Sequence, residues 1–118
     1  MKNVIYHNLR CSKSRLALGI LRDRDIDIDV VEYLKEPPSI KELKSICEKL
    51  QLKPFEIIRT QEALFAELGL SLNDKKSDKE WLQILHEHPQ LIERPIIVVQ
   101  GRAVIGRPPE NVFSIIEP

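Results

Sequence analysis

The spacing of apolar residues changes several times along this 118-residue chain, and each change predicts an element. Val4-Ile5-Tyr6 is a short continuous apolar run, the pattern of a buried strand. From about Ser12 to Arg24 the period lengthens, with Leu16, Ile20 and Leu21 recurring at helical spacing. Ile26, Ile28 and Val30 then alternate with aspartates in a run ending at Tyr33, which predicts a second strand. Strand, helix and strand in 33 residues form a βαβ unit, and its strands are expected to lie parallel.

Pro37-Pro38 breaks the chain, and Ser39-Ile40-Lys41-Glu42 follows with capping-box spacing. The helix it opens carries Ile40, Leu43, Ile46, Cys47 and Leu50 as its buried stripe. Pro54 suits the first turn of a short helix running to about Arg59, and another piece runs from Glu62 to Leu68 and stops at Gly69. Ser77-Asp78-Lys79-Glu80 is a second capping box, opening a helix through Trp81, Leu82 and Leu85 to His88, where Pro89 ends it. Strand patterns return in Ile96–Val99 and Arg102–Ile105, and the Gln100-Gly101 connection between them suits a hairpin. Pro108-Pro109 opens a last helix with Val112, Phe113 and Ile116 on its face. The fold class is therefore α/β: a βαβ unit, an all-helical insertion over about 39–90, then ββα. Residues 1–118 are expected to form a single domain, without an internal repeat or linker.

Composition narrows the function. Lysine plus arginine and aspartate plus glutamate number 18 each, so the basic excess of a general nucleic-acid or acidic-membrane binder is missing. No apolar run approaches a membrane span, and Met1 to Asn8 enter a strand pattern without a signal-peptide core. The expected location is cytoplasmic, where thiols stay reduced, so the two cysteines do not form a disulfide framework.

Cys11 follows a buried strand and precedes a helix. Free amides and the positive end of the helix dipole favour a thiolate there, and they also make an anion site. His7, Arg10 and Arg15 are nearby candidate cations, and Ser12 and Ser14 supply hydroxyls. The alternative is a cysteine packed as a small hydrophobe. Cys47 lies on an apolar stripe and reads as core. Cys11 would then lack a resolving partner in its own chain. A two-electron reduction would draw its second thiol from outside, from glutathione or a glutaredoxin.

Arg59, Arg94 and Arg107 all stand at the ends of predicted elements, Arg59 closing a helix. Together they could grip a tetrahedral oxyanion bidentately, although each alone also fits a solvated surface arginine. Pro95, entering a strand after Arg94, is a candidate cis-proline. His86-Glu87-His88 lacks metal-ligand spacing and reads as solvated helix-end residues, so no metal site is expected. Trp81 reads as a core anchor or a packed surface aromatic.

The run Ile5-Tyr6-His7-Asn8-Leu9-Arg10-Cys11-Ser12-Lys13-Ser14-Arg15 resembles the active-site loop of the glutaredoxin-dependent arsenate reductases. Tyr33-Leu34-Lys35-Glu36-Pro37-Pro38, Ile58-Arg59, Glu93-Arg94-Pro95-Ile96 and Gly106-Arg107-Pro108-Pro109-Glu110 follow in that family's order, so the resemblance covers essentially the whole chain. Leu9-Arg10 before the cysteine resembles the compact chromosomal branch of the family. The resemblance implies a thioredoxin-like fold and reduction of arsenate to arsenite. Cys11 would be the nucleophile, His7 the residue that helps ionise it, and Ser14 a supporting group. Arg59, Arg94 and Arg107 would bind the oxyanion, with Pro95 the cis-proline facing the cysteine. No cofactor would be bound; glutathione would be the thiol co-substrate and glutaredoxin the partner.

Two other classes compete. A redox-responsive regulator of the Spx type typically carries a CxxC switch, yet Ser14 stands three residues after Cys11. A general thiol-disulfide oxidoreductase needs no oxyanion clamp, so three arginines would be superfluous. The phosphatase-like arsenate reductases use a C-x5-R loop, and Ala17 occupies the arginine position.

Overall fold

The computed structural model describes residues 2–117. Their contacts gather into two compact units, one of residues 1–36 with 94–118 and the other of residues 37–93. The expected helical insertion, about 39–90, falls inside the second unit.

The first unit is a four-stranded sheet with helices. Strand β1 (Val4–His7) leads through helix α1 (Ser12–Asp23) to β2 (Asp29–Glu32). Later in the chain come β3 (Ile96–Val99) and β4 (Arg102–Ile105), giving the sheet order β2-β1-β3-β4. β1 and β2 are parallel, with Val4 opposite Asp29 and His7 opposite Glu32; β3 runs antiparallel to both β1 and β4. The hairpin turn has Gln100 at φ 51° and Gly101 at φ 78°, the positive pair that a two-residue turn needs to match strand twist.

Ile5, Ile97 and Val99 meet Ala17, Leu18 and Leu21 of α1 and Val112 and Ile115 near the C-terminus in one apolar core. Full burial of a side chain such as Leu21 contributes about 1.5–3 kcal/mol, so this stripe holds α1 to the sheet. The stripe differs from the predicted one. Leu16 is 61% exposed, because Ser14, Ala17, Leu18 and Leu21 share the inward face and Leu16 lies off it.

The second strand is also shorter than expected. Pairing with β1 begins at Asp29, whose N–H is taken by the Asn3 carbonyl at 2.8 Å. Ile26 and Ile28 precede that ladder and pack half-buried against the core. At the far end, a 3₁₀ turn over Pro109–Val112 comes before the short helix Phe113–Ile116. Ile115, and not Phe113, completes its buried face; the Phe113 ring instead lies 4.9 Å from the Arg24 guanidinium.

The second unit holds α2 (Ile40–Leu50), α3 (Ala63–Glu67) and α4 (Asp78–Glu87), and the helix Phe113–Ile116 of the first unit is α5. Both capping boxes form. Ser39 accepts from the Glu42 amide at 3.1 Å and Ser77 from the Glu80 amide at 3.2 Å, with each glutamate reaching back. α2 ends at Gln51, which takes the left-handed φ of 60°. Trp81 is core, and His86 is half-buried, its Nδ1 2.8 Å from the Pro38 carbonyl oxygen, rather than solvated.

Pro54 does open a turn, but a 3₁₀ one that closes at Ile57. Arg59 therefore does not end a helix. It follows the antiparallel bridge Ile58–Ile92, and its N–H donates to the Leu91 carbonyl at 2.7 Å.

Candidate active site

The first unit gathers Cys11, His7, Ser14, Arg94, Pro95 and Arg107 at its strand ends and the first turn of α1. Cys11 is the N-cap residue of α1, half-buried and free of disulfide. Its N–H donates to the Asn8 carbonyl at 3.0 Å, and the Asn8 side chain accepts from the Arg10 amide at 3.0 Å. These local bonds fold the segment between β1 and α1 into a tight turn that delivers the sulfur to the helix start.

Burial of Cys11 works against ionisation. The Ser14 backbone amide, the Arg94 guanidinium and the Lys13 amide outweigh it and hold the thiol below its ordinary value of 9.0. Sγ makes no regular capping hydrogen bond, so the helix start acts on it through oriented dipoles.

The cation differs from the expected ones. His7 is 1% exposed, and burial, together with the Arg22 and Arg15 charges, outweighs Glu32 and lowers its pKa, so the ring is neutral at pH 7. Its Nδ1 lies 2.5 Å from Ser14 Oγ, which also accepts from the Asn8 amide at 3.1 Å. His7 thus reaches the cysteine turn through Ser14, not as a positive charge. Arg15 is engaged with the Leu9 carbonyl at 2.9 Å, and Arg10 is exposed. Arg94 is the guanidinium whose charge lowers Cys11.

Arg94 and Arg107 are neighbours, with Arg107 Nη1 donating to the Arg94 carbonyl at 3.4 Å. Arg94 Nε is buried and has no hydrogen-bond partner, leaving a donor to be satisfied by something else. The Arg94–Pro95 bond is cis, as expected, and so is Arg107–Pro108, which was not foreseen. Gly106 N–H donates to the Pro95 carbonyl at 2.8 Å. A Cβ at Gly106 would come within 2.9 Å of Pro95 Cγ, so a glycine is what lets the Arg107 segment pass so close to Pro95.

Arg59 belongs to the second unit. Its Nη1 lies 3.2 Å from Glu62 and its Nε 3.3 Å from Glu93, so two carboxylates already neighbour this guanidinium. The same unit has a groove of about 880 Å³, bounded by Ile40, Cys47, Leu52, Pro54 and Leu82, which includes none of the expected site residues. Cys47 there is 5% exposed; burial first, then Asp78 and Glu48, pushes its thiol up to about 11. Among the described residues, no cluster of three or more His, Cys, Asp and Glu could hold a metal ion. None of the described helices is long and apolar enough to cross a membrane.

Tyr33 was not singled out from the sequence. It follows β2 directly, one position beyond the His7–Glu32 pair, which sets it level with Asn8. A parallel register of β1 and β2, once assumed, would have found it.

Comparison with known proteins gives the family and the fold. The model of the ArsC family matches residues 6–115. An arsenate reductase of Neisseria meningitidis serogroup A is 43% identical over 95% of this chain and 96% of its own. One from Haemophilus influenzae is 40% identical over 98% of this chain and all of its own length. The solved structure of an arsenate reductase from Vibrio cholerae superposes with a TM-score of 0.91 at 44% identity, covering 98% of both chains. The fold is accordingly that of the thioredoxin-like arsenate reductases, and the chain belongs to the ArsC family.

Proposed function

We propose that this protein reduces arsenate to arsenite, with Cys11 as the only thiol it contributes and glutathione and a glutaredoxin supplying the others. The observation that carries the reading is Cys11 at the start of α1, its thiol held low by backbone amides and Arg94. Such a sulfur is a nucleophile and its surroundings are an anion site, the two things an oxyanion reductase needs.

In this reading the Cys11 thiolate attacks arsenic(V), an As–S bond forms and hydroxide leaves. The glutathione thiol adds to arsenic and a second hydroxyl departs as water. A glutaredoxin thiolate then attacks the glutathione sulfur. As the new S–S bond forms, the bond between arsenic and the glutathione sulfur breaks and leaves its electron pair on arsenic, which becomes arsenic(III), still on Cys11. Water releases arsenite and restores the thiol. Arg94 and Arg107 grip the arsenate oxygens, and Pro95 and Gly106 keep the Arg107 segment close. Arg59 is the third guanidinium of the clamp on the strength of the family resemblance. Ser14 and neutral His7 fix the cysteine turn. The chain acts as a single domain in the cytoplasm, whose reducing thiol pool the cycle requires.

The test is NADPH oxidation in a coupled system of glutathione, glutaredoxin and glutathione reductase, with and without arsenate. Oxidation should depend on arsenate. Arg94→Lys and Arg107→Lys should each slow it about tenfold or more, because lysine keeps the charge but loses the fork, and a charge-assisted hydrogen bond contributes about 1.5–3 kcal/mol. A thiol exchanger would reduce glutathione mixed disulfides at full rate in all these variants and ignore arsenate.

A further inference from the structure

Among the described residues of the first unit, two buried side-chain donors are left without hydrogen bonds. One is Arg94 Nε and the other is the hydroxyl of Tyr33, a side chain only 1% exposed. A buried hydroxyl with no partner is costly, and a fold carries that cost where a ligand supplies the acceptor. The position of Tyr33 is set by the sheet: with β1 and β2 parallel and His7 opposite Glu32, the next residue comes level with Asn8, at the carboxyl end where the Cys11 turn begins. The groups that act on its hydroxyl are those of the candidate site, namely Arg94, the Cys11 thiol and Asn8, which approach it without reaching hydrogen-bond geometry.

We propose that the Tyr33 hydroxyl donates a hydrogen bond to an oxygen of the oxyanion held beside Cys11, completing the coordination that Arg94 begins. This rests on the arsenate reading above and adds to it an uncharged donor, carried by β2's end and not by the arginines. Burial, outweighing the pull of Arg94 and Asn8, pushes the hydroxyl up to about 12. Tyr33 therefore stays protonated throughout the working range and serves as a donor, never as a base. A neutral donor also suits the cycle. The anion loses charge as hydroxide departs, and a hydroxyl can follow that change where a further guanidinium would over-bind the product.

Tyr33→Phe removes the oxygen and keeps the buried ring. Arsenate should protect Cys11 of the wild-type protein from iodoacetamide. In Tyr33→Phe the arsenate concentration for half-protection should rise about tenfold, and the KM for arsenate with it. The pH midpoint of Cys11 alkylation without arsenate should stay where it was, since a merely structural change or a bond to the thiol would move it. Equal protection in both proteins overturns the proposal, and so does a midpoint that shifts as far as the affinity. A wild-type protein that arsenate does not protect removes the arsenate reading itself, a result visible before any variant is made. A second measurement needs no substitution at Tyr33. The chain has two tyrosines, so fluorotyrosine labelling gives two fluorine resonances, and arsenate should shift that of Tyr33 saturably. A resonance unmoved at saturating arsenate also overturns the assignment.

Discussion

Cys11 and Cys47 both belong to helices, and the contrast between them separates a reactive thiol from a structural one. Cys11 caps α1 and is half-buried, facing amide dipoles and a guanidinium that hold its pKa below the ordinary value. Cys47 sits two turns into α2, buried on the apolar stripe, with Asp78 and Glu48 as its charged neighbours and a pKa near 11. A helix start concentrates unpaired N–H groups, whereas a helix interior has none to offer. Position within the helix, more than burial alone, decides which sulfur can be a thiolate.

The largest expected effect is on alkylation. At pH 7 a thiol with a pKa near 11 is ionised about a hundredfold less than one at 9, and Cys11 lies below 9. Mass spectrometry of iodoacetamide-treated native protein should find Cys11 modified at least about a hundred times faster than Cys47. Comparable rates would erase the contrast. Arg94→Met sharpens it, because removing the guanidinium should move the Cys11 alkylation midpoint upward and leave Cys47 unchanged. An unmoved midpoint would assign the low pKa to the helix start alone.

Alkaline stability should report the same difference. The unfolded chain releases the Cys47 proton near 9 while the folded chain holds it to about 11, so this thiol favours the fold below pH 9 and that contribution is lost as pH rises toward 11. Cys47→Ala should flatten the loss by up to about 2 kcal/mol in urea titrations at pH 9 and 11, once the shared effect of Tyr33 is subtracted. Cys11 has the opposite sign: its stabilisation grows as pH rises through its lowered pKa and is complete above 9. The smallest effect concerns the scaffold around Cys47. Ser39→Ala should cost about 1 kcal/mol by removing half of the α2 capping box, without altering the alkylation of Cys11.

Local features were the most legible in the sequence. Both capping boxes, the Gln100-Gly101 turn and the cis bond before Pro95 depend on neighbouring residues, and all were foreseen. Cys11 and Cys47 could be told apart because helix position follows from apolar spacing. The features that apolar spacing does not display depend on contacts distant in sequence. Strand β2 begins only at Asp29 because its partner strand begins at Val4, and Arg59 lies outside any helix because Ile58 pairs with Ile92. The charge of His7 could not be read either, since only the fold shows that its ring is buried. Arg94 rather than His7 therefore supplies the positive charge at the thiol, and the role of Tyr33 awaited the register of β1 and β2.

In the proposed cycle one cysteine of this chain carries the reaction and the other carries packing. Arsenate-dependent NADPH oxidation by Cys11→Ser and Cys47→Ser, each checked for an intact fold, tests it most directly. No turnover above background is expected of Cys11→Ser and near wild-type turnover of Cys47→Ser. Loss of turnover in a folded Cys47→Ser protein would contradict the cycle, because the second thiol would then come from within the chain and not from glutathione.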